Sequence, residues 1–244
     1  MTQTLAILFA SGRGKRLRPF TDHTPKPLAT VQGKALLDYN IEKASTFVDK
    51  YCITVHWMEG QIRNFIDQKP ASKPIQVVTQ TNLLGGTLDA LRTGIYASQE
   101  NQNCNYFVSN SDEIRGDRFY QEFAKSIAQN PNQALIAAKK LTNKEELKNF
   151  GVLKVGSNNN LLQIVEKPQE FVSDLISIGM YYLPNTIVSE GFISDDFNKA
   201  QKEEYITDLF NKFTAKYPIK VIELDDLWLP ITTVEDLEAA NADT

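Results

Sequence analysis

The segment FASGRGKRLRPFTDHTPKPL, residues 9–28, follows the apolar run TLAIL and precedes KALLDYNIEKA, whose apolar spacing predicts an amphipathic helix. Strand, loop and helix in that order is what a phosphate site needs. Gly12 and Gly14 carry no Cβ, so backbone amides there can approach an anion closely. Lys15, Arg16, Arg18 and Lys26 add cationic donors within the same segment, while Pro19, Pro25 and Pro27 limit its collapse. Two glycines at this spacing are a weak signal by themselves. The loop lacks the four-residue spacing of a Walker A motif, and Leu17 stands where a dinucleotide fingerprint has its third glycine.

Outward from the loop, strands are predicted at 51–57, 75–80 and 105–112, with helices over 34–47, the stretch EGQIRNFIDQ, and 87–98. This alternation predicts βαβ units and a mainly parallel sheet with ligands at the carboxyl ends of its strands. The second half reads as a helix at 117–129, a strand at QALIAAKKL, two strands joined by the turn Asn158–Asn160, and a strand at LISIGMYYLP. Helices near 186–192 and 203–216, a strand at IKVIEL and a helix at TVEDLEAAN complete it. The expected fold is α/β, a Rossmann-like mainly parallel sheet flanked by helices with inserted antiparallel strands in the second half. With no internal repeat or linker, residues 1–244 read as one domain.

Composition narrows the function. The 42% hydrophobic and 23% charged content is ordinary globular usage, and a net charge of −4 speaks against a nucleic-acid partner while leaving room for a local basic loop. Cys52 and Cys104 have no metal-like spacing and read as buried thiols. No stretch reaches membrane-spanning length and no leader pattern opens the chain, so the cytoplasm is the expected compartment.

The pattern formed by Gly12, Gly14, Arg16, Leu17, Pro19, Thr21, Pro25, Lys26 and Pro27 resembles the signature of the sugar-1-phosphate nucleotidylyltransferases, or NDP-sugar pyrophosphorylases. The resemblance implies a nucleotide-diphospho-sugar transferase type of fold. It also implies that Ala10, Ser11, Gly12, Arg13, Gly14 and Lys15 wrap a nucleoside triphosphate, that Arg16 grips its phosphates and that Lys26 contacts phosphate near the reacting centre. Lys15 stands where the family usually has a small hydroxyl residue.

Further blocks lie at predicted strand ends. Gln80, with donor and acceptor on one amide, and the Gly85–Gly86 pair suit close contact with a base or sugar. Their likeness to the family's glutamine and loop glycine implies a pyrimidine nucleotide, UTP or dTTP. Asp112 matches the family's metal-binding aspartate and implies Mg²⁺, with Ser111 in place of a glycine and Asn110 and Glu113 as neighbouring candidates. Glu166-Lys167-Pro168, followed by Gly179, resembles the family's sugar-phosphate block: Glu166 for sugar hydroxyls, Lys167 for the phosphate, Gly179 for close approach. The family's second metal ligand is an aspartate in a Trp-x-Asp motif, but here the run is Trp228-Leu229-Pro230. Either Asp225 or Asp226 substitutes from just upstream, or the metal is held by fewer protein groups, or catalysis is lost; self-association is a further trait of the family. Two alternatives stay open: a cytidylyltransferase for phosphocholine or another small phosphate, and a nucleotide-binding homologue with impaired catalysis.

Overall fold

A computed structural model describes residues 2–70, 72–82, 85–98, 103–191 and 204–242. Residues 192 and 203, where two predicted helix ends fall, and Leu83–Leu84 of the Gln80 loop lie outside this set. The first half runs β1 (Gln3–Ala10), β2 (Thr30–Val31), β3 (Lys34–Ala35), α1 (Leu36–Ala44), β4 (Lys50–Val55), α2 (Glu59–Asp67), β5 (Ile75–Thr79), α3 (Gly86–Ala97), β6 (Cys104–Asn110) and β7 (Glu113–Arg115). The second half runs α4 (Asp117–Gln129), β8 (Ala134–Lys140), β9 (Gly151–Val155), β10 (Leu161–Glu166), β11 (Leu175–Leu183), α5 (Asn185–Gly191), α6 (Ile206–Thr214), β12 (Ile219–Glu223), β13 (Trp228–Pro230) and α7 (Val234–Ala242).

The centre of the sheet follows from β1, which is apolar on both faces. Leu5 and Ile7 point into one core with Leu88, Leu91 and Ile95 of α3. Ala6, Leu8 and Ala10 alternate to the opposite face, where Leu37 of α1, Ile62 of α2 and Phe119 and Phe123 of α4 pack. β1 pairs in parallel with both β4 and β6, and β4 with β5. On the other side, β11 runs antiparallel to β6, β8 and β9, and β8 takes β12 as a parallel neighbour. The result is a mixed sheet, parallel through β6, β1, β4 and β5 as expected and antiparallel where β9, β10 and β11 are inserted.

Three departures from the sequence reading matter for the site. The predicted helix at 34–47 begins only at Leu36, because residues 34–35 pair with 30–31 as a small hairpin. β13 pairs antiparallel with β7, setting Pro230 opposite Glu113 and Trp228 opposite Arg115. Strands of three residues carry no readable periodicity, so neither was expected. Finally, Leu17 is fully buried in a third apolar cluster with Val31, Leu36, Ile114 and Ile231, which fastens the basic loop to the body of the protein. Both cysteines are buried and unpaired, and among the described residues no helix is long and apolar enough to cross a membrane.

Candidate active site

The loop after β1 takes its shape from a few local contacts. Gly14 has φ 58°, a left-handed conformation that favours glycine, and an added Cβ would press on Thr21 at 2.9 Å and Lys26 at 3.1 Å. Its carbonyl accepts hydrogen bonds from Leu17 N–H at 2.8 Å and Thr21 Oγ at 2.9 Å. Lys15 and Arg16 are thereby left exposed on a single tight turn, and Arg13 lies 5.1 Å above the Trp57 ring. Lys26 turns inward instead: its Nζ lies 2.6 Å from Asp112 Oδ2. This pair joins the loop of β1 to the end of β6, residues 86 positions apart in the chain. Burial pushes the Asp112 carboxyl upward, but the charge and hydrogen bond of Lys26, with help from Arg115, outweigh it and hold Asp112 below the ordinary carboxylate range.

A cavity of about 880 Å³ opens over these strand ends. Its lining takes in every residue from Ala10 to Arg16, together with Lys26, Gln80, Gly86 and Asp112. Glu166, Lys167 and Gly179, predicted as a separate block, line the same space. Glu166 Oε2 accepts a hydrogen bond from Thr207 Oγ at 3.2 Å, and Lys167 Nζ sits 4.9 Å over the Tyr205 ring. Lys167 has φ 47°, uncommon for a side-chain-bearing residue, and its N–H is held by the Phe150 carbonyl at 3.0 Å.

Several sequence expectations change here. Asp225 and Asp226 do not line the cavity: Asp225 pairs with Lys139 at 2.7 Å, and Asp226 accepts the Arg118 N–H at 3.0 Å, closing the start of α4. One or the other was expected near the metal because of its closeness to Pro230 in sequence; instead Asp225 meets Lys139 of β8 and Asp226 the start of α4. Gly85 is also off the lining, tucked beneath the Asp89 side chain. Gln80 is buried, and its amide nitrogen donates to the carbonyls of Asn82 at 3.2 Å and Gly86 at 3.0 Å, so it shapes the loop as well as facing the cavity. Ser111 is fully buried with its hydroxyl turned to the Phe9 carbonyl.

A sequence model of the nucleotidyl transferase family matches residues 5–244. The chain belongs to that family. It is 27% identical over 236 residues to the bifunctional protein GlmU of Methanocaldococcus jannaschii, covering 97% of this chain and 53% of that protein. It is also 27% identical over 241 residues to the mannose-1-phosphate guanylyltransferase catalytic subunit beta of Drosophila melanogaster, covering 96% and 60% respectively. The chain thus spans little more than half the length of these curated relatives. A UDP-glucose pyrophosphorylase structure from Acinetobacter baumanii shares the fold with TM-score 0.80 at 18% identity, over 98% of this chain and 92% of that one.

The position opposite Pro230 is occupied by Glu113, but that carboxylate is already bonded. It accepts from Asn110 Nδ2 at 2.9 Å, Arg115 at 3.0 Å and Trp228 Nε1 at 2.6 Å. Among the described residues no group of three or more His, Cys, Asp or Glu gathers at a metal-ligating position. Asp112, which also lines the cavity and has Lys26 as its side-chain partner, is a carboxylate of the kind a hard cation accepts.

Gly179 has φ 65° where β11 breaks register, and an added Cβ would overlap the Asn110 amide. The close approach it permits is of Asn110, an internal contact the sequence did not reveal. Gly179→Ala is expected to destabilise the protein by about 2–4 kcal/mol, combining left-handed strain with displacement of Asn110. Urea unfolding would check it, and a loss under 0.5 kcal/mol would contradict the notch.

Tyr205, Ile206 and Thr207 also line the cavity, and sequence reasoning did not single them out. Their signal was a helix start: Asp208 accepts the Tyr205 N–H at 2.9 Å, half of a capping box.

Proposed function

We propose that this chain transfers a nucleotidyl group from a nucleoside triphosphate to a sugar 1-phosphate and releases pyrophosphate. The supporting observation is that one cavity contains two cationic sites from distant parts of the chain, Lys26 beside Asp112 and Lys167 beside Glu166. Two phosphate-bearing reactants repel each other, and a site that aligns them needs positive charge on both. In the proposed reaction a phosphate oxygen of the acceptor attacks the α-phosphorus in line. A new P–O bond forms, the bond to the β-phosphate bridge breaks, and pyrophosphate leaves with that electron pair. No protein nucleophile is needed because the attacking phosphate is already ionised.

The glycine loop would lie along the triphosphate, Arg16 and Lys26 would bind its phosphates, Lys167 the acceptor phosphate, and Glu166 the sugar hydroxyls. Asp112 would hold Mg²⁺, which when bound would offset phosphate charge. UTP or dTTP is the nucleotide we assign, from the Gln80 resemblance; the guanylyltransferase relative makes GTP the rival. A sugar is favoured over phosphocholine because three of the four aromatic residues lining the cavity already have ring or cation partners, and the fourth, Phe9, packs against the apolar core. Phe150 packs on Trp228 at 5.1 Å, Tyr181 on Phe210 at 5.0 Å, and Tyr205 lies under Lys167. A quaternary ammonium needs open aromatic faces.

The test is pyrophosphate release from UTP, dTTP, CTP and GTP against a panel of sugar 1-phosphates and phosphocholine, with and without Mg²⁺. Release with a sugar 1-phosphate is expected. Release only with phosphocholine would transfer the assignment, and nucleotide binding without any release would identify an impaired homologue.

A further inference from the structure

We propose that Asn211, outside the cavity, is a positioning residue for the acceptor half of the site. β10 is the outermost strand on its side of the sheet, and its far end carries Glu166. At Ile164 the backbone has no further strand to pair with. Both of its peptide groups go to one side chain: Ile164 N–H donates to Asn211 Oδ1 at 2.7 Å, and Asn211 Nδ2 donates to the Ile164 carbonyl at 2.7 Å. The amide of Asn211 thus does what the backbone of a neighbouring strand would do.

This joint sets where α6 stands along β10. Asn211 and Thr207 are four residues apart on α6, one above the other on a single face and about 6 Å apart along the axis. Ile164 and Glu166 are two residues apart on β10, about 6.6 Å. The two spacings match, so the Asn211–Ile164 rung brings Thr207 Oγ opposite Glu166 Oε2, the second rung at 3.2 Å. Tyr205, beneath Lys167, is carried to its place by the same helix. At its start α6 is tied to α3 by Ile206 N–H to Thr87 Oγ at 2.9 Å. Loss of the Asn211 rung frees the β10 edge at Ile164, two residues from Glu166, while the start of α6 keeps its tie to α3 near the nucleotide loop. Asn211 itself does not line the cavity.

The inference rests on the sugar-phosphate reading of Glu166 and Lys167. Its test compares wild type, Asn211→Ala and Asn211→Asp; the aspartate keeps an acceptor for Ile164 N–H but, when ionised, offers no donor to the carbonyl. The substrates are UTP and glucose 1-phosphate, or the pair selected by the pyrophosphate screen. Asn211→Ala is expected to raise the KM of the sugar phosphate about tenfold, to leave the nucleotide KM within about twofold, and to speed amide exchange at Ile164. Asn211→Asp should retain Ile164 protection and fall between the two in sugar-phosphate KM. An unchanged sugar-phosphate KM in folded Asn211→Ala, or equal rises for both substrates, would overturn the proposal. If wild type turns over no pair, the acceptor reading falls by itself. The joint is then judged by amide exchange at Ile164 and Glu166, and unchanged exchange in Asn211→Ala would overturn it too.

Discussion

Arg115→Met is expected to lose about 3–5 kcal/mol of folding stability, the largest effect of any single change in the site's framework. The guanidinium is fully buried and bonded on every side. Its Nε and one terminal nitrogen donate to the Ile178 carbonyl at 3.0 and 2.7 Å. The other terminal nitrogen reaches Asn40 Oδ1 at 2.9 Å and Ser109 Oγ at 3.2 Å, and Glu113 completes the set as an ion pair at 3.0 Å. Methionine fills much of the volume but returns none of these donors. It leaves a half-buried carboxylate and a buried carbonyl without their main partner. Lysine would restore the charge without the planar fork, so Arg115→Lys should recover only part of the loss. Chemical denaturation measures both, and a cost below 1 kcal/mol for the methionine variant would show that the network contributes little. Because Asn110, Glu113 and the Asp112 turn all hang on this group, the folded variant should also bind nucleotide more weakly.

Lys26→Ala is expected to lower turnover in the proposed reaction by about 10²–10³-fold. Two effects combine. A cation within the phosphate site is removed, and Asp112 loses the partner that keeps its carboxyl ionised against burial. With Lys26 gone, the largest lowering influence is lost and the Asp112 pKa should rise toward the ordinary range. Sign follows direction here: the folded-state pKa of Asp112 is depressed, so the pair's stabilisation is present in full above the ordinary value of 3.8 and is lost as pH falls through the lowered one. The variant should therefore be less stable near neutral pH but lose less stability in acid than wild type, because the pair's pH-dependent contribution is gone. Arg16→Ala is the informative companion. Arg16 is exposed on its turn, with no side-chain partner among the described residues, so it should cut turnover while leaving stability unchanged. Near-normal pyrophosphate release in both variants would remove the loop from the reaction.

The elements that sequence located well share a physical cause. α4 falls at 117–129 as the periodicity predicted, because a 13-residue amphipathic helix states its period several times over. β1, β4, β6 and β11 were equally plain, as strands buried on both faces must be apolar throughout. β7 and β13 escaped notice for the opposite reason, since three residues do not define a period and their pairing depends on partners more than 100 positions apart. Asp225 and Asp226 show the same limit: chain proximity to Pro230 does not place either at the cavity, and they meet Lys139 of β8 and the start of α4 instead.

Sequence alone determined the loop from Ala10 to Lys26, because a left-handed glycine, a run of cations and spaced prolines are local requirements written in consecutive residues. It also marked the strand ends at Gln80, Asp112 and Glu166, where polar side chains interrupt apolar runs. Only the tertiary structure decided that these ends share one cavity, that Lys26 pairs with Asp112, and that the carboxylate opposite Pro230 is already bonded to Arg115 and Trp228. Those outcomes depend on which strands become neighbours, and that is set by burial of the whole sheet between its helices.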